Sequence, residues 1–442
     1  MNKQFFYGVS TSAFQIEGDD GKQGRGVSVW DSFCERENTI YQNQNARIAC
    51  DHYNKMEEDV ELLHKLGVNS YRFSISWSRL LPDGIGRVNP KGIDFYNRLI
   101  NKLIAYKISP LITLYHWDLP QSLSDKGGLM NQKFPQWFAE YTSIVVKEYG
   151  DRVKDYITFN EPINTVHSSY YTGVFAPGYK LNSRQTMKCI HNMLLAHGAA
   201  CDIIHSLPSS RVGIAMSTFE EYPLNNDKMC VEAARKAFFE RKIVSESVGV
   251  YLDPIFLGEY PDKIYKLFPE FKDDNYQKDL RNIGRKTDFI GFNNYSGTPV
   301  DENGNEVEHA AYSPMNSMGG YVDPNGIYWG CKFLTDRYNK PLMITENGVA
   351  CDDVVCLDGK VHDINRIDFF KRHLSAVERL KTENIDVCGY FVWSFLDNFE
   401  WLFGYTKRFG LVFVDYKTLK RIPKDSFYYY SEYIKSKEKT SD

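Results

Sequence analysis

Pro135 to Ile204 contains one full unit of the fold. An amphipathic stretch from Pro135 to Tyr149 leads into the short run Asp155-Tyr156-Ile157-Thr158-Phe159, and the polar Asn160-Glu161-Pro162 separates that run from a second amphipathic stretch, Met187 to Ile204. The apolar run lacks the in–out alternation of a half-solvated strand, so it reads as a strand buried on both faces. Proline at the head of the first stretch suits a helix start. The same alternation recurs along the whole chain. Strands are predicted at Phe5–Ser10, Tyr71–Ser76, Pro110–Tyr115, Asp155–Phe159, Val212–Met216, Asp288–Phe292, Leu342–Thr345 and Val387–Trp393. Helical patterns lie between them at Asp51–Leu66, where Met56, Val60, Leu63 and Leu66 share a face, and at Ile93–Ile104 and Ile364–Leu380. Eight strands alternating with helices predict a parallel sheet, and the lack of a G-x-G-x-x-G turn favours a closed α/β barrel over its alternative, an open doubly wound sheet. The expected architecture is a single (β/α)8 TIM barrel with elaborated βα loops, one domain over residues 1–442.

Composition agrees and excludes several classes of function. The 442 residues carry a formal charge of −4, 43% hydrophobic and 25% charged residues, which is ordinary globular material. This charge balance gives no drive toward nucleic acid or an anionic membrane. No apolar run approaches the length of a membrane-spanning helix. Aromatic residues reach 15%, against disorder and in keeping with ring faces offered to a ligand. Nine cysteines, an odd number without CxxC pairs, predict reduced thiols rather than a disulfide framework or a zinc site. Met1-Asn2-Lys3 passes too quickly through Phe5–Ser10 into polar sequence for a secretory apolar core, so the expected location is cytoplasmic.

A barrel of this kind builds its active site at the C-terminal ends of its strands. The residues expected there are Gln15 after the first run, His116-Trp117-Asp118 after the third and Asn160-Glu161-Pro162 after the fourth. Asn293-Asn294-Tyr295 follows the sixth, Glu346-Asn347-Gly348 the seventh, and Trp393-Ser394 closes the eighth. Two carboxylates on strand ends four and seven, ringed by amides, an imidazole and indoles, fit glycosidic-bond cleavage, which needs one acid and one carboxylate facing the developing oxocarbenium charge. Taken alone, Asn160-Glu161-Pro162 reads equally as a strand exit with Pro162 breaking the ladder, and Asn347-Gly348 as a turn dipeptide.

These segments, in this order, resemble the family 1 glycoside hydrolases, the β-glucosidase and β-galactosidase group. The resemblance rests on Phe5–Gly18, Tyr71–Trp77, His116–Pro120, Thr158–Pro162, Ile344–Gly348, Trp393–Trp401 and Gly404–Leu411. It implies that Glu161 is the general acid/base and Glu346 the nucleophile of an anomer-retaining double displacement, with Arg72 and Tyr295 keeping the nucleophile ionised and aimed. By the same resemblance Gln15, His116, Asn160, Tyr295, Glu400, Trp401 and Phe409 bind the non-reducing sugar over the floor of Trp393, and Asn160 touches its 2-hydroxyl. Relatives that cleave 6-phosphosugars carry a small neutral residue at the position of Glu400, so Glu400 beside Lys407 and Phe409 implies an unphosphorylated substrate. Gly320 stands where relatives carry the tryptophan that stacks on the leaving group, and Tyr321 beside it is a candidate replacement. The implied partner is a small-molecule β-glucoside or short oligosaccharide. No metal and no organic cofactor is implied, and the oligomeric state stays open.

Overall fold

The computed structural model describes residues 5–19 and 21–438. Met1-Asn2-Lys3 and the end of the Lys435–Asp442 tail lie outside them. Eight parallel strands, β1 (Phe6–Ser10), β2 (Ser70–Ser74), β3 (Ser109–Tyr115), β4 (Asp155–Asn160), β5 (Arg211–Ser217), β6 (Phe289–Asn294), β7 (Leu342–Asn347) and β8 (Val387–Trp393), pair in chain order. Gly8, Val9 and Ser10 pair with Phe391, Val392 and Trp393, so β1 closes on β8 and the open-sheet alternative is excluded. Each predicted run falls within one residue or two of an observed strand.

Eight main helices form the outer layer: α1 (His52–Leu66), α2 (Pro90–Ala105), α3 (Phe134–Tyr149), α4 (Ser183–Ile204), α5 (Lys228–Phe239), α6 (Asn325–Tyr338), α7 (Ile364–Thr382) and α8 (Asp425–Glu438). Their starts follow local chemistry. Asn89 caps α2 through its side chain and Pro90 occupies the first helical position. Asn182 and Gln185 form a reciprocal capping box that starts α4 before the first expected residue, Met187. Gly67, at φ +82°, ends α1 in the left-handed conformation that glycine adopts without strain.

The barrel interior is stratified. Leu111, Ile157, Ala215, Phe289, Met343, Cys388 and Phe391 fill its lower part. Above them the inward positions turn polar, with Arg72, Thr113, Asn160, Asn293 and Glu346 all buried. Register shifts interrupt β4–β5 pairing between Ile157 and Asn160, β6–β7 pairing between Phe292 and Asn293, and β8–β7 pairing between Tyr390 and Val392. Such irregularities break the period-two alternation and re-aim the side chains that follow.

Beyond the barrel lie elements that the periodicity did not mark. Helices Val248–Phe256, Asp262–Leu267 and Asp274–Ile283 extend the β5–β6 connection. Glu221–Pro223 pairs in parallel with Thr298–Val300, and Val412–Asp415 pairs with Lys420–Pro423 as an antiparallel hairpin. Among the described residues no helix is long and apolar enough to cross a membrane. All nine cysteines are free, and seven are buried.

Candidate active site

A cavity of about 440 Å³ opens at the C-terminal ends of the strands. Its lining includes His116, Asn160, Glu161, Tyr295, Glu346, Trp393, Glu400, Trp401 and Phe409. Nine of the eleven site residues expected from sequence therefore meet at one cavity. The other two, Arg72 and Gln15, lie beneath it.

Arg72 is the hub. Its side chain is 1% exposed and every nitrogen donates: Nε to Thr113 Oγ1 at 3.0 Å, Nη1 to Glu346 Oε1 at 2.6 Å and to the Thr345 carbonyl at 3.0 Å, and Nη2 to Asn160 Oδ1 at 2.6 Å. Its fork of donors anchors β2, β3, β4 and β7 to one fixed positive charge. The Tyr295 hydroxyl donates to the other Glu346 oxygen, Oε2, at 2.5 Å. Burial raises the Glu346 pKa above its ordinary value, while Arg72 and Tyr295 oppose that shift.

Glu161 sits in a different field. Its donors are neutral amides, Asn293 Nδ2 at 2.8 Å from Oε1 and Asn164 Nδ2 at 2.5 Å from Oε2. Burial, and then the charge of Glu346, push its carboxyl up to about 7. The Asn293 amide faces both carboxylates, and its own carbonyl accepts the Thr345 hydroxyl at 2.6 Å. One side chain thus spans the gap between strand ends four and seven.

The backbone around Glu161 matches the strand exit at Pro162 but adds a strained conformation that the sequence did not reveal. Its N–H donates to the Ala215 carbonyl at 2.8 Å, so the β4 ladder continues through it, with φ at +48°. Pro162 begins a helical turn that passes into the π-helix Asn164–Tyr171. A left-handed φ on a non-glycine residue costs energy and persists where the surroundings over-determine it, a pattern concentrated at functional sites. Asn347-Gly348 is no simple turn. Asn347 Nδ2 donates to the Asn294 carbonyl at 2.7 Å and its Oδ1 accepts from the Tyr390 hydroxyl at 2.6 Å. A Cβ on Gly348 would stand 1.7 Å from the Trp393 carbonyl oxygen, so only glycine lets strand ends seven and eight approach this closely.

The remaining lining residues form a bowl suited to a sugar. The His116 ring stacks over Trp393 and Trp401 with centroids 5.7 and 6.2 Å away. Burial, with the nearby Arg72, holds His116 well below its ordinary pKa, so it presents a neutral imidazole. Its Nε2 lies 3.1 Å from Asn160 Nδ2, and its Nδ1 is buried without a protein partner among the described residues. Glu400 Oε2 is orphaned in the same way, and burial raises its carboxyl to about 8, helped by Glu346 and Glu161. Tyr295 packs edge-on against Phe409, which shares a small cluster with Trp393 and Ala350.

Gln15 is fully buried below this bowl. Its amide nitrogen donates to Asn398 Oδ1 at 2.9 Å and to the Phe399 carbonyl at 2.8 Å, and its oxygen accepts from Ser12. Tyr321 does not fill the space left by Gly320. Its ring stacks on His309, with centroids 4.0 Å apart, and Gly320 itself lines the cavity beside Asn316 and Met318. Lys407 donates to the Ser317 carbonyl and is not part of the lining.

Asn293, expected at its strand end without an individual role, and residues the sequence reading did not name also belong here. Asn293 and Asn164 hold Glu161, and Ser217, Thr218, Phe219 and Glu220 bring the end of β5 to the wall. The strand-end rule names that β5 segment once it is applied to every run, whereas Asn164 lies within a helix and carries no sequence signal.

Known proteins share this architecture over its full extent. A family model described as glycosyl hydrolase family 1 matches residues 1–439. β-Glucosidase A of Thermotoga maritima is 42% identical over 438 residues, covering 98% of this chain and 97% of the relative. A bifunctional β-D-glucosidase/β-D-fucosidase of Bifidobacterium breve is 37% identical over 460 residues, 98% of this chain and 97% of the relative. The solved Thermotoga maritima family 1 β-glucosidase superposes with a TM-score of 0.90 at 42% identity over 98% of each chain, and the same enzyme has been solved in complex with glucoimidazole.

Proposed function

The chain belongs to glycosyl hydrolase family 1 and acts as a β-glucosidase; from that premise we propose that Glu346 is its nucleophile and Glu161 its acid/base. The observation that carries the assignment is the contrast between the two fields. Glu346 is gripped by a fixed cation and a phenol, whereas Glu161 has only amides and a carboxyl raised to about 7. Environments that push two carboxyls apart assign one to protonation and the other to charge.

In the first half-reaction Glu161 protonates the glycosidic oxygen while Glu346 attacks the anomeric carbon. The C1–O bond to the aglycone breaks, and the aglycone leaves as the alcohol. Esterification removes the negative charge of Glu346, one of the causes of the high Glu161 pKa, so Glu161 becomes the stronger acid and remains as carboxylate. It then takes a proton from water, which attacks the same carbon and releases glucose with its anomeric configuration retained. Asn293, shared by the two carboxyls, supports the short separation that direct attack requires.

Sugar hydroxyls would meet the orphaned Nδ1 of His116 and Oε2 of Glu400, along with Asn160 and Trp401, over Trp393, with Tyr295 and Phe409 closing one side. Gln15 would donate to a hydroxyl only by giving up Asn398 or Phe399, whereas its oxygen, bonded once to Ser12, keeps a lone pair to accept one. The acceptable substrates are cellobiose, short cello-oligosaccharides and aryl or alkyl β-glucosides. Open space at Gly320 favours tolerance of varied aglycones, and β-galactosides and β-fucosides fall within the same chemistry. We propose a single folding domain, because α8 returns to pack on α1 and α7 and its Tyr433 meets Tyr7 of β1. A cytoplasmic setting suits the nine free thiols.

The pH profile tests the acid/base assignment. Glu161 must be protonated in the free enzyme, so kcat/KM falls as pH rises through about 7, about tenfold per pH unit above it. E161Q is expected to flatten that limb, and an unchanged limb in E161Q would assign it to another group.

Phosphorylated sugars are expected to fail. Among the described residues the cavity lining includes Glu161, Glu220, Glu346 and Glu400 but no lysine or arginine. A phosphate dianion entering there would be desolvated without a counter-charge. Cellobiose should be cleaved at least about a hundredfold faster than its 6′-phosphate, the scale set by one buried unpaired charge. A preference for the phosphate would overturn the assignment.

A further inference from the structure

We infer that Glu220 is a positioning residue for the nucleophile, acting through Tyr295; this rests on the assignment of Glu346 above. Glu220 stands on the β5 side of the cavity, and its carboxylate Oε1 accepts the Tyr295 N–H at 2.5 Å. The next N–H, that of Ser296, also faces it. Its own carbonyl accepts the Thr298 N–H at 2.9 Å, and the following residues, Glu221–Pro223, pair with Thr298–Val300. The segment after β5 is therefore stapled to the segment after β6 at Tyr295 and just beyond it.

The cost of this arrangement shows that it is imposed. Glu220 adopts φ +65°, with its N–H turned onto Thr218 Oγ1 at 3.0 Å. A non-glycine residue holds that conformation only when other contacts over-determine it. The conformation turns the carboxylate back under Tyr295, and the Tyr295 hydroxyl then reaches Glu346 Oε2 at 2.5 Å. A line of direct hydrogen bonds runs from the end of β5, through the Tyr295 backbone and ring, to the attacking carboxylate. Two other acids, Asp323 and the adjacent Glu221, interact electrostatically with Glu220. The pairing with Thr298–Val300 uses only the backbone here, so it does not itself require a carboxylate at position 220.

The test is a double-mutant cycle on E220A and Y295F, read as kcat, KM and the acid limb of kcat/KM with p-nitrophenyl β-glucoside. Removing the staple lets Tyr295 drift from Glu346, so E220A is expected to lower kcat about tenfold to a hundredfold, the scale of an ångström-sized misplacement. The acid limb should move to higher pH because Glu346 loses a donor to its charged form. E220Q keeps an acceptor oxygen and should retain activity within about threefold, since the amide carbonyl still meets the Tyr295 N–H. In the Y295F background E220A should cost no more than about twofold, because coupled residues are non-additive. If E220A loses its melting transition, E220D, which withdraws the oxygen by one methylene, carries the same comparison. Equal losses in the two backgrounds, or an unmoved acid limb, would overturn the inference. Should Y295F itself leave both kcat and the limb unchanged, the assignment of Glu346 fails first, and this inference falls with it.

Discussion

E346G is expected to lose turnover of every β-glucoside by about 10⁵-fold, the order seen when a covalent nucleophile is deleted. Azide should restore bond cleavage for an activated aryl glucoside. The variant leaves a space under the anomeric carbon, bounded by the Arg72 guanidinium, which loses its ion-pair partner, and the Tyr295 hydroxyl, which loses its acceptor. A small anion fits that charge and that space. It would attack from the face vacated by Glu346 and yield the α-glucosyl azide, identified by the anomeric coupling in its NMR spectrum.

The same deletion isolates Arg72. A buried guanidinium without its carboxylate costs about 3–5 kcal/mol, offset in part because Glu161 and Glu400 are freed from the repulsion of Glu346. E346G should therefore melt below the parent protein and recover when azide or formate is added. A variant that turns over normally without azide, or whose azide product is the β-anomer, would remove Glu346 from the chemistry.

Deleting Glu161 should produce the mirror image. E161A is expected to slow cellobiose cleavage by about 10²–10⁴-fold, the usual contribution of a positioned general acid. A dinitrophenyl β-glucoside carries a leaving group that departs without a proton, so its first half-reaction should be nearly spared. The second half-reaction still lacks its base. The glucosyl ester on Glu346 should then accumulate as a burst of phenolate, with a mass increment on the peptide containing Glu346. Azide should now attack that ester from the face where Glu161 stood and give the β-glucosyl azide, the opposite anomer from E346G. Equal losses for both leaving groups, with no trapped ester, would contradict the role. The two variants together assign the faces of the ring.

The framework of this site was legible in the chain itself. Short, doubly buried runs such as Asp155–Phe159 identify parallel strands because burial on both faces removes the polar alternation. Helix starts such as Asn89-Pro90 announce themselves because capping is local chemistry. The strand-end rule then picks out Glu161, Tyr295, Glu346 and Trp393 without any knowledge of distance. Glu400, Trp401, Phe409 and Arg72 needed the family resemblance, since three lie on the long segment after β8 and the fourth is inside a strand. The connection between β5 and β6 was illegible. Its helices are short and irregular, and their packing is decided by the barrel rather than by their own periodicity.

Sequence by itself determined the eight-fold alternation, the barrel it closes into and the presence of two glutamates at its mouth, because backbone period, burial and capping act over a few residues. Tertiary structure alone decided which carboxyl is gripped by a cation and a phenol and which only by neutral amides, the contrast that supports the roles the resemblance implies. That contrast depends on Arg72 reaching across four strands, on the Asn293 amide between the two groups, on the register shifts that aim Asn160 and Asn293, and on Glu220 holding Tyr295 from the neighbouring loop. Gln15 was directed inward and Tyr321 outward for the same reason. Electrostatic energy falls with the distance between groups in space, and spacing along the chain carries no record of that distance.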